Sequence, residues 1–542
     1  MEWIAPAQKD TATKTLEKQL WDAADNLRAN SGLTAAQYSQ PVLGLIFLKF
    51  ADARFQKRRD ELGKAATGRR GSRVEDPGSY HAEGVLYLQP HARYGYLLEY
   101  PEGGKDKVTL GQAVEAAMKA IEADNTHLAG VLPKTYQGFN ARLLKELLKA
   151  FAVIPDDLEG DAFGKIYEYF LAEFAMTEGQ GGGEFYTPTS IVRLLVEVLE
   201  PFGGKVLDPA CGSGGMFVQS ARFVAEHKRG SAQTALAIHG VEKVDDTGRL
   251  CRMNLAVHGL EGDIRHGGDL NAYYDDPHNQ AGRFDFVLAN PPFNVDKVDK
   301  ERLEGAVGEG RRFPFGLPKP DNANYLWIQL FYGALNRTGR AGFVMANSAS
   351  DARSSEQELR KKLIEARAVD VMVSVGPNMF YTVTLPVTLW FLDRGKQGKR
   401  RDQVLFVDAR NIYRQIDRAH RDWTEGQVGF LANLVRLYRG EEIDLTFGSD
   451  EAAAKLREVF GKKAKYADVA GLCKVATIEQ IEKEGWSLNP GRYVGVAEGD
   501  EVSDEDFRTR FAKLHAEFEA LTAEAHTLEK VIAKNTRDLL GS

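Results

Sequence analysis

The segment Lys205–Met216, Lys-Val-Leu-Asp-Pro-Ala-Cys-Gly-Ser-Gly-Gly-Met, most constrains the fold of this chain. A short apolar strand (Val206, Leu207) ends in Asp208 and leads into a loop whose glycines let the backbone turn sharply and approach a ligand. A strand, a glycine-rich turn and an apolar helix form the first unit of a dinucleotide-type α/β fold. Because the G-x-G-x-x-G and phosphate-loop spacings are absent, the carboxylate at the strand end favours a cationic or hydroxyl-bearing ligand.

A second motif follows another predicted strand, Phe286–Ala289. Two prolines remove backbone donors and stiffen the turn, so the loop offers carbonyl acceptors together with an aromatic face. That combination suits a planar heterocycle with an exocyclic amine, placed at the carboxyl end of a parallel strand. The candidate catalytic residues are Asn290, Pro291, Pro292 and Phe293.

Together the two motifs resemble those of S-adenosylmethionine (AdoMet) dependent methyltransferases that act on adenine N6. Further segments narrow the resemblance to the modification subunit (M) of type I restriction-modification systems: a Gly-Glu-Phe-Tyr-Thr-Pro segment at 183–188, Asn-Ala-Asn-Tyr at 322–325 and Leu-Asn-Pro-Gly-Arg-Tyr at 488–493. The order of the motifs is that of the gamma class. Seven strands are predicted from apolar runs, at 206–207, 237–241, 263–268, 286–289, 341–346, 369–375 and 385–392. The resemblance implies a seven-stranded, Rossmann-like α/β sheet with its last two strands paired antiparallel.

The resemblance also implies which residues bind AdoMet. Glu242 ends a predicted strand, Ala237–Val241, where an acidic side chain accepts both ribose hydroxyls. Asp269, after the strand-like segment 263–268, is expected to meet the adenine end of the cofactor. The remaining candidates are Glu184, Phe185, Tyr186, Thr187, Pro188, Thr189, Asp208, Gly212, Ser213, Gly214 and Gly215.

The expected chemistry is direct methyl transfer without a metal or a covalent enzyme intermediate. The carbonyls of Asn290 and Pro291 accept hydrogens from the N6 amine, which makes its nitrogen more nucleophilic, and the base swings out of duplex DNA onto Phe293. Phe380 or Tyr381 is a candidate for the second face of the base. Methyltransferases of RNA or protein amide nitrogens, and a non-catalytic AdoMet-binding assembly subunit, stay open as alternatives.

The net charge of −7 is unusual for a protein that binds DNA, because phosphate contacts require Lys and Arg. Either the basic residues are clustered, as at 57–59, 69–73 and 394–401, or a separate subunit contacts the DNA. The resemblance favours the second explanation and implies a specificity subunit (S), with two M copies per S, and a motor/nuclease subunit (R). Three dispersed cysteines indicate a reducing compartment. With neither a signal pattern nor a long apolar run, we expect a cytoplasmic protein with no membrane association.

Three domains are predicted: an N-terminal helical domain (1–155) that contacts DNA or a partner, the methyltransferase domain with a C-terminal extension (156–500), and an assembly helix (501–542). Pro41 is expected to open a helix, and the tyrosines of 85–100 are expected to pack internally or, less favourably, to bind nucleic acid. The long loop 295–320 is expected beside DNA, with Arg302, Arg311 and Arg312.

The last segment carries apolar residues in a heptad pattern, which favours a coiled-coil-type helix that packs against another subunit. Ser503 and Asp506 resemble a capping box at its start. A helix packed on its own domain usually has a wider apolar stripe. The seam consists of Phe507, Phe511, Leu514, Phe518, Leu521, Ala525, Leu528, Ile532 and Leu539, with Asn535 in its one gap.

Overall fold

The computed structural model describes residues 1–5, 16–29, 31–65, 73–156, 162–178, 187–227, 235–319, 323–380, 385–417, 420–496 and separate positions between 511 and 532. Met1–Val494 forms one compact unit and Gly495–Ser542 a second. No helix among these described residues has both the length and the apolar composition needed to cross a bilayer.

The N-terminal part of the chain is helical and encloses its own apolar core, which runs from Leu20 to Phe174 and includes Met253 and Val257 from a later helix. The core therefore extends past residue 155, the predicted end of this domain. Its helices are α1 (Leu16–Ala29), α2 (Ala35–Ala65), α3 (Gly78–His81), α4 (Tyr94–Glu99), α5 (Leu110–Asp124), α6 (Ala141–Ala152) and α7 (Ala162–Glu178).

Two predictions for this region are settled by packing. Pro41 does not open a helix: α2 begins at Ala35, and the Pro41 carbonyl inside the helix accepts a hydrogen bond from the Tyr136 hydroxyl at 3.0 Å. The tyrosines of 85–100 do pack internally, since Tyr87 and Tyr94 are buried. Tyr96 is the exception, with 45% of its surface exposed.

The first residues of the chain lie outside the helical core. Strand β1 (Trp3–Ala5) pairs in parallel with a strand at Ile412–Gln415, and the backbone of Trp3 accepts a hydrogen bond from Gln427 at 2.9 Å. The tryptophan ring also meets Phe430 edge to face. Strand β1, which was predicted to belong to the helical domain 1–155, therefore packs with the C-terminal extension.

The central element is a nine-stranded mixed sheet with strand order β12-β9-β7-β8-β6-β5-β2-β3-β4. The seven predicted strands, β2 to β8, are all present, and β8 runs antiparallel to β6 and β7. Two strands of the C-terminal extension widen the sheet beyond seven. Its strands are β2 (Gly204–Asp208), β3 (Leu236–Glu242), β4 (Gly262–His266), β5 (Phe284–Ala289), β6 (Leu335–Ala346), β7 (Val369–Val375), β8 (Val387–Asp393), β9 (Gln403–Asp408) and β12 (Cys473–Thr477); β10 (Ile412–Gln415) and β11 (Arg421–Asp422) join β1 in a small separate sheet.

Helices cover both faces of the large sheet, because alternate residues of each strand are apolar on opposite sides. Val206 belongs to one core and its neighbour Leu207 to the other. Both faces of the sheet are therefore covered by apolar side chains, so a polar ligand is expected at the ends of the strands. The helices are α8 (Thr189–Leu199), α9 (Gly215–Glu226), α10 (Asp245–Val257), α11 (Asn324–Ala334), α12 (Ser355–Glu365), α13 (Glu425–Arg439), α14 (Ser449–Phe460) and α15 (Ile478–Lys483).

The second unit is described at separate positions between 511 and 532, and these are helical and exposed. Phe518, Leu528 and Ile532, three residues of the predicted seam, have 66%, 54% and 62% of their surface exposed. Phe511, at 62% exposure, and the exposed Ala525 belong to the same seam. Exposed apolar side chains at heptad spacing are uncommon on a helix that packs within its own chain. Phe507, Leu514, Leu521 and Leu539, with Ser503, Asp506 and Asn535, lie outside the described residues.

Candidate active site at the strand ends

The sheet reverses its winding at β2, and this point defines the site. From β2 the chain adds β3 and β4 on one side, then returns to place β5 on the other side. Crevices form outside the carboxyl ends of parallel strands at such switch points. Asp208 ends β2 and Asn290 follows β5, so the two sequence motifs flank one crevice.

The glycine loop after β2 is shaped by two left-handed residues, Gly212 (φ 51°) and Gly214 (φ 83°). A Cβ on Gly214 would lie 2.8 Å from the Cys251 sulfur, so only glycine fits against α10 there. Beside Gly212 and Gly215 a Cβ would meet nothing within 4 Å. The loop therefore packs closely on one side and borders open space on the other.

Glu242 holds the glycine loop from the neighbouring strand. Its carboxylate accepts hydrogen bonds from the Gly212 N–H at 3.0 Å and from the Val244 N–H at 2.9 Å. Each carboxylate oxygen can accept a second bond, which leaves capacity for ligand hydroxyls. Glu242 is only half-buried, so this capacity is accessible from the crevice.

Asp208 is almost completely buried beneath the loop, at 1% exposure. Its carboxylate accepts a hydrogen bond from the Ala210 N–H at 3.0 Å. Burial raises the pKa of Asp208 to about 8; the Ala210 bond opposes this shift and the Glu242 charge adds to it. A nearby positive charge would favour the ionised carboxylate.

The loop after β5 has one polar atom without a partner. The side-chain nitrogen of Asn290 donates a hydrogen bond to the Thr187 hydroxyl at 2.8 Å. The side-chain oxygen of Asn290 is buried and has no hydrogen-bond partner within the described part of the chain. A buried acceptor without a partner is costly, and a donor that binds at this atom would remove that cost.

The turn that follows is fixed by a reciprocal amide pair. Asn294 adopts a left-handed conformation (φ 53°), and its backbone N–H donates to the side-chain oxygen of Asn324 at 2.9 Å. The Asn324 side-chain nitrogen donates back to the side-chain oxygen of Asn294 at 2.9 Å. Phe293, between this turn and Asn290, is half-buried against the core. The Asn-Ala-Asn-Tyr segment thus sets the conformation of the loop carrying Phe293.

Comparisons with known proteins identify the family of this chain. The model of the N-6 DNA methylase family matches residues 158–502, and the model of the HsdM N-terminal domain matches residues 16–151. The chain belongs to the N-6 DNA methylase family. It is 36% identical over 536 residues to the type I restriction enzyme MjaIX methylase subunit of Methanocaldococcus jannaschii, covering 94% of this chain and 90% of that relative.

A second relative narrows the assignment within the N-6 DNA methylases. The type I restriction enzyme HindI methylase subunit of Haemophilus influenzae is 35% identical over 451 residues, covering 81% of this chain and 94% of the relative. A methyltransferase subunit of a type I system from Streptococcus thermophilus shares the fold, with a TM-score of 0.71 at 21% identity over 89% of this chain and 99% of that one.

The chain is thus a type I methylase subunit, an AdoMet-dependent enzyme that methylates adenine N6 in DNA. The alternatives, an RNA or protein methyltransferase or a non-catalytic scaffold, are not favoured by these relatives. The crevice suits AdoMet on structural grounds, because open space borders the glycine loop and the half-buried carboxylate of Glu242 can accept bonds from ligand hydroxyls, with the carboxyl of Asp208 buried beneath the loop. No cluster of metal-ligating side chains occurs among the residues that the structure describes.

The other predicted site residues that the structure describes lie at the start of α8, beyond the end of β4 and in the glycine loop. Thr187 contacts Asn290, Pro188 is the buried N-cap of α8, and Thr189 is exposed at its first turn. Asp269 is exposed, beyond the end of β4 at His266. Ser213 is half-buried in the loop. Glu184, Phe185 and Tyr186 lie outside the described residues.

Of the two aromatic candidates for the second face of the base, only Phe380 lies in the part of the chain that the structure describes. Phe380 is 4% exposed and packs in the core beneath the sheet ends. Its ring offers no open face in this structure. Tyr381 lies outside the described residues, so its role stays a prediction.

The arginines of the long loop after Asn290 are mostly engaged within the methylase itself. Arg312 is buried, at 8% exposure, and donates to the backbone carbonyls of Ala272 and Tyr273. Arg312 is therefore engaged inside the chain, and the expectation that the loop 295–320 lies beside DNA stays a prediction. Arg302 stacks 4.0 Å over the Tyr274 ring, and Arg311 donates to the Gly305 carbonyl at 2.6 Å.

One buried asparagine at the methylase site was not predicted. Asn254, in α10, is 1% exposed and donates from its side-chain nitrogen to the Ser213 carbonyl at 2.8 Å. It fixes the middle of the glycine loop from behind. The available signal was a single asparagine between the buried residues Met253 and Leu255, which is an unusual place for an amide unless it has a partner.

Proposed function

We propose that this methylase subunit methylates adenine N6 in duplex DNA with the Asn290 side-chain oxygen as the acceptor for the reacting amine. The observation that carries this proposal is the buried, unpartnered oxygen of Asn290 at the switch point of the sheet. An acceptor at this atom satisfies one N6 hydrogen and leaves the nitrogen lone pair less delocalised. The Pro291 carbonyl is the proposed acceptor for the second hydrogen.

The remaining roles in the proposal follow from the same loop and its neighbours. Pro292 stiffens the turn, and Phe293 stacks on the extruded base and offsets part of the cost of flipping. Glu242 accepts the ribose hydroxyls of AdoMet, Asp208 lies near its positive charge, and Asp269 lies near its adenine. AdoMet supplies an electrophilic methyl group on a sulfonium sulfur. The protein contributes positioning and fixed acceptors.

The glycine loop completes the proposed cofactor site. Its backbone is held open by Glu242 from one side and by Asn254 from the other. Such a preformed loop binds without a large ordering cost. The proposed cofactor contacts also include Glu184, Phe185, Tyr186, Pro188, Thr189, Gly212, Ser213, Gly214 and Gly215.

The product identifies the reaction. Tritiated methyl transfer to DNA, RNA and protein is measured in parallel, and the DNA is then digested to nucleosides. We expect label in N6-methyl-2′-deoxyadenosine from DNA only. Label in another nucleoside, in RNA or in protein contradicts the proposed substrate.

The proposal for assembly concerns the terminal helix, residues 501–542. We expect it to pack on helices of a specificity subunit, with two copies of this chain per specificity subunit, alongside a motor/nuclease subunit. Exposed seam residues and the negative charge of the chain support a partner that contacts much of the DNA. The helical region 1–155 is the proposed second contact for DNA or a partner. Three buried free thiols suit the proposed cytoplasmic location.

Two single substitutions test the assembly proposal without removing the helix. Leu528→Lys places a charge on the seam, whereas Glu529→Lys changes the adjacent, off-seam position on the same exposed helix. We expect the first to lose co-purification with the specificity subunit and the second to retain it. Mass measurement of the wild-type complex gives the stoichiometry. Equal retention by both variants, together with normal assembly after removal of 501–542, contradicts the proposal.

A further inference from the structure

The turn after the Asn-Pro-Pro-Phe motif is joined to the start of α11 by three hydrogen bonds. The backbone N–H of Asn294 donates to the side-chain oxygen of Asn324 at 2.9 Å, and the Asn324 side-chain nitrogen donates to the side-chain oxygen of Asn294 at 2.9 Å. The backbone N–H of Ala323 also donates to the Val295 carbonyl at 3.0 Å. The long loop between these residues is therefore closed at its base, directly after Phe293.

The orientation of both amides follows from one atom that can only donate. A backbone N–H cannot accept a hydrogen bond, so the atom of Asn324 that faces the Asn294 N–H must be the side-chain oxygen. The other end of the Asn324 amide is then its nitrogen, which donates, so the atom of Asn294 that faces it must be an oxygen. A half-turn of either amide would bring two donors together and break a bond.

Asn324 is the fixed member of this pair. It is the first residue of α11 and is 1% exposed, and the next residue, Tyr325, is buried and donates from its hydroxyl to the Ala349 carbonyl at 2.7 Å. Asn294 is exposed and has a φ of 53°, a left-handed conformation that is uncommon for residues other than glycine and is held by neighbouring contacts. The buried asparagine therefore fixes the exposed one.

The pair acts on the residue that precedes Asn294. Phe293 is half-buried against the core at the edge of the crevice. Without the bonds from Asn324, the backbone at Asn294 could leave the left-handed region, and the direction of the chain next to Phe293 would change. The position of the Phe293 ring therefore depends on a residue 30 positions beyond Asn294.

We propose that Asn324 is a positioning residue for base flipping, which through Asn294 holds the Phe293 ring where the extruded adenine stacks. The inference rests on the proposed stacking role of Phe293. It gives a role to the Asn-Ala-Asn-Tyr segment, which the proposed chemistry does not otherwise use. Asn324 acts through the turn and contacts neither the base nor AdoMet.

Aspartate substitutions test the reciprocal pair. In Asn324→Asp the carboxylate can accept from the Asn294 N–H and, after a half-turn of the Asn294 amide, from its nitrogen. In Asn294→Asp the carboxylate can accept from the Asn324 nitrogen. The double variant, with both substitutions, has no side-chain donor and brings two like charges together. The single variants are thus matched controls for the double variant.

Single-turnover methylation is measured in the native complex at saturating AdoMet. We expect each single variant to stay within about threefold of the wild-type rate and the double variant to be about 5- to 150-fold slower, which corresponds to the loss of one base stack. The deficit should shrink on DNA with a mismatch opposite the target adenine, where extrusion is easier. Calorimetry should give an AdoMet dissociation constant within about twofold of wild type.

Two further variants complete the test. Adding Phe293→Ala to the double variant should give the rate of Phe293→Ala alone, because the residues act as one unit. If the double variant does not fold, Asn294→Gly replaces it, since glycine suits the left-handed φ and removes only the side-chain half of the pair. Asn294→Gly should then be about 2- to 12-fold slower than Asn294→Asp on matched DNA.

Each contrary result is distinct. A wild-type rate in the double variant, with Phe293→Ala slow, overturns this inference and leaves the proposed function intact. A deficit of the same size on matched and mismatched DNA, weakened AdoMet binding, or a single variant as slow as the double variant also overturns it. A wild-type rate in Phe293→Ala overturns the proposed stacking role and this inference with it. Equal rates for Asn294→Gly and Asn294→Asp have the same consequence for the inference alone.

Discussion

The two loops that flank the crevice are built in opposite ways. The backbone of the glycine loop after β2 is held by neighbouring residues, with Glu242 and Asn254 bonded to it and Cys251 packed behind Gly214. The loop after β5 keeps one acceptor, the Asn290 oxygen, without a partner in the described chain. A preformed cradle favours tight binding of AdoMet, whereas an unsatisfied atom gains most when the reacting group arrives.

The largest effect should come from filling the space behind the glycine loop. Gly214→Val adds atoms where Cys251 already lies 2.8 Å from a Cβ position, at a φ of 83° that valine does not adopt. We expect calorimetry to detect no AdoMet binding. Gly95→Val is the control, because a Cβ at Gly95 meets nothing within 4 Å and its φ is not positive. Unchanged AdoMet affinity in Gly214→Val contradicts the description of a preformed cradle.

A smaller loss should follow from removing the carboxylate that holds this loop. Glu242→Ala deletes two hydrogen bonds to backbone N–H groups and the proposed ribose contact. We expect AdoMet affinity to fall about 10- to 150-fold, from the 1.5–3 kcal/mol typical of a hydrogen bond to a charged group. Asp269→Ala, at an exposed position, should lose less. An equal loss of AdoMet affinity in both variants would mean that Glu242, at the end of β3, is not the main acidic contact of the cofactor.

A substitution in the loop after β5 should lower the rate of DNA methylation and leave AdoMet binding unchanged. Phe293→Ala should cost about 1–3 kcal/mol of base stacking while AdoMet binding persists. The deficit should shrink on DNA with a mismatch opposite the target adenine, because extrusion is then easier. Methylation rates on matched and mismatched duplexes measure this difference. A deficit of the same size on both duplexes contradicts a stacking role.

A different kind of effect concerns the pH dependence of stability and not the binding of AdoMet or DNA. Asp208 has a folded-state pKa of about 8 against an ordinary value of 3.8, so between these pH values the folded chain holds a proton that the unfolded chain releases. The free energy of unfolding should therefore decrease with rising pH from about 4 to about 8, by at most about 1.4 kcal/mol per pH unit from this group. Asp208→Asn should flatten that decrease. Parallel pH profiles for both proteins, from denaturant unfolding without AdoMet, contradict the assignment.

Local patterns predicted the central strands well. The apolar runs before Asp208 and Asn290 marked β2 and β5, and Val369–Val375 was predicted with the bounds that the structure has. β6 starts earlier than the predicted Ala341, at Leu335, because polar residues interrupt the apolar pattern at its start. Apolar periodicity detects the buried middle of a strand and misses its exposed beginning.

Contacts between distant segments were beyond the sequence. The burial of Arg312 depends on carbonyls about 40 positions earlier, and the bond from Asn290 to Thr187 spans 103 positions. Neither residue carries a local signal for its partner, because charge and hydroxyl groups are common in exposed loops. The location of the candidate site could be predicted from the ends of the strands. The hydrogen-bond partners of its side chains could be identified only in the structure.

The most direct test of the central claim is single-turnover methylation by Asn290→Ala in the native complex, with AdoMet affinity measured on the same preparation. Loss of one fixed hydrogen-bonding group at a reacting atom typically lowers the rate about 10²- to 10³-fold. We predict a loss of at least about 100-fold in rate with the AdoMet dissociation constant unchanged within about twofold. A rate close to that of the wild type, or a loss explained entirely by weaker AdoMet binding, would contradict the account.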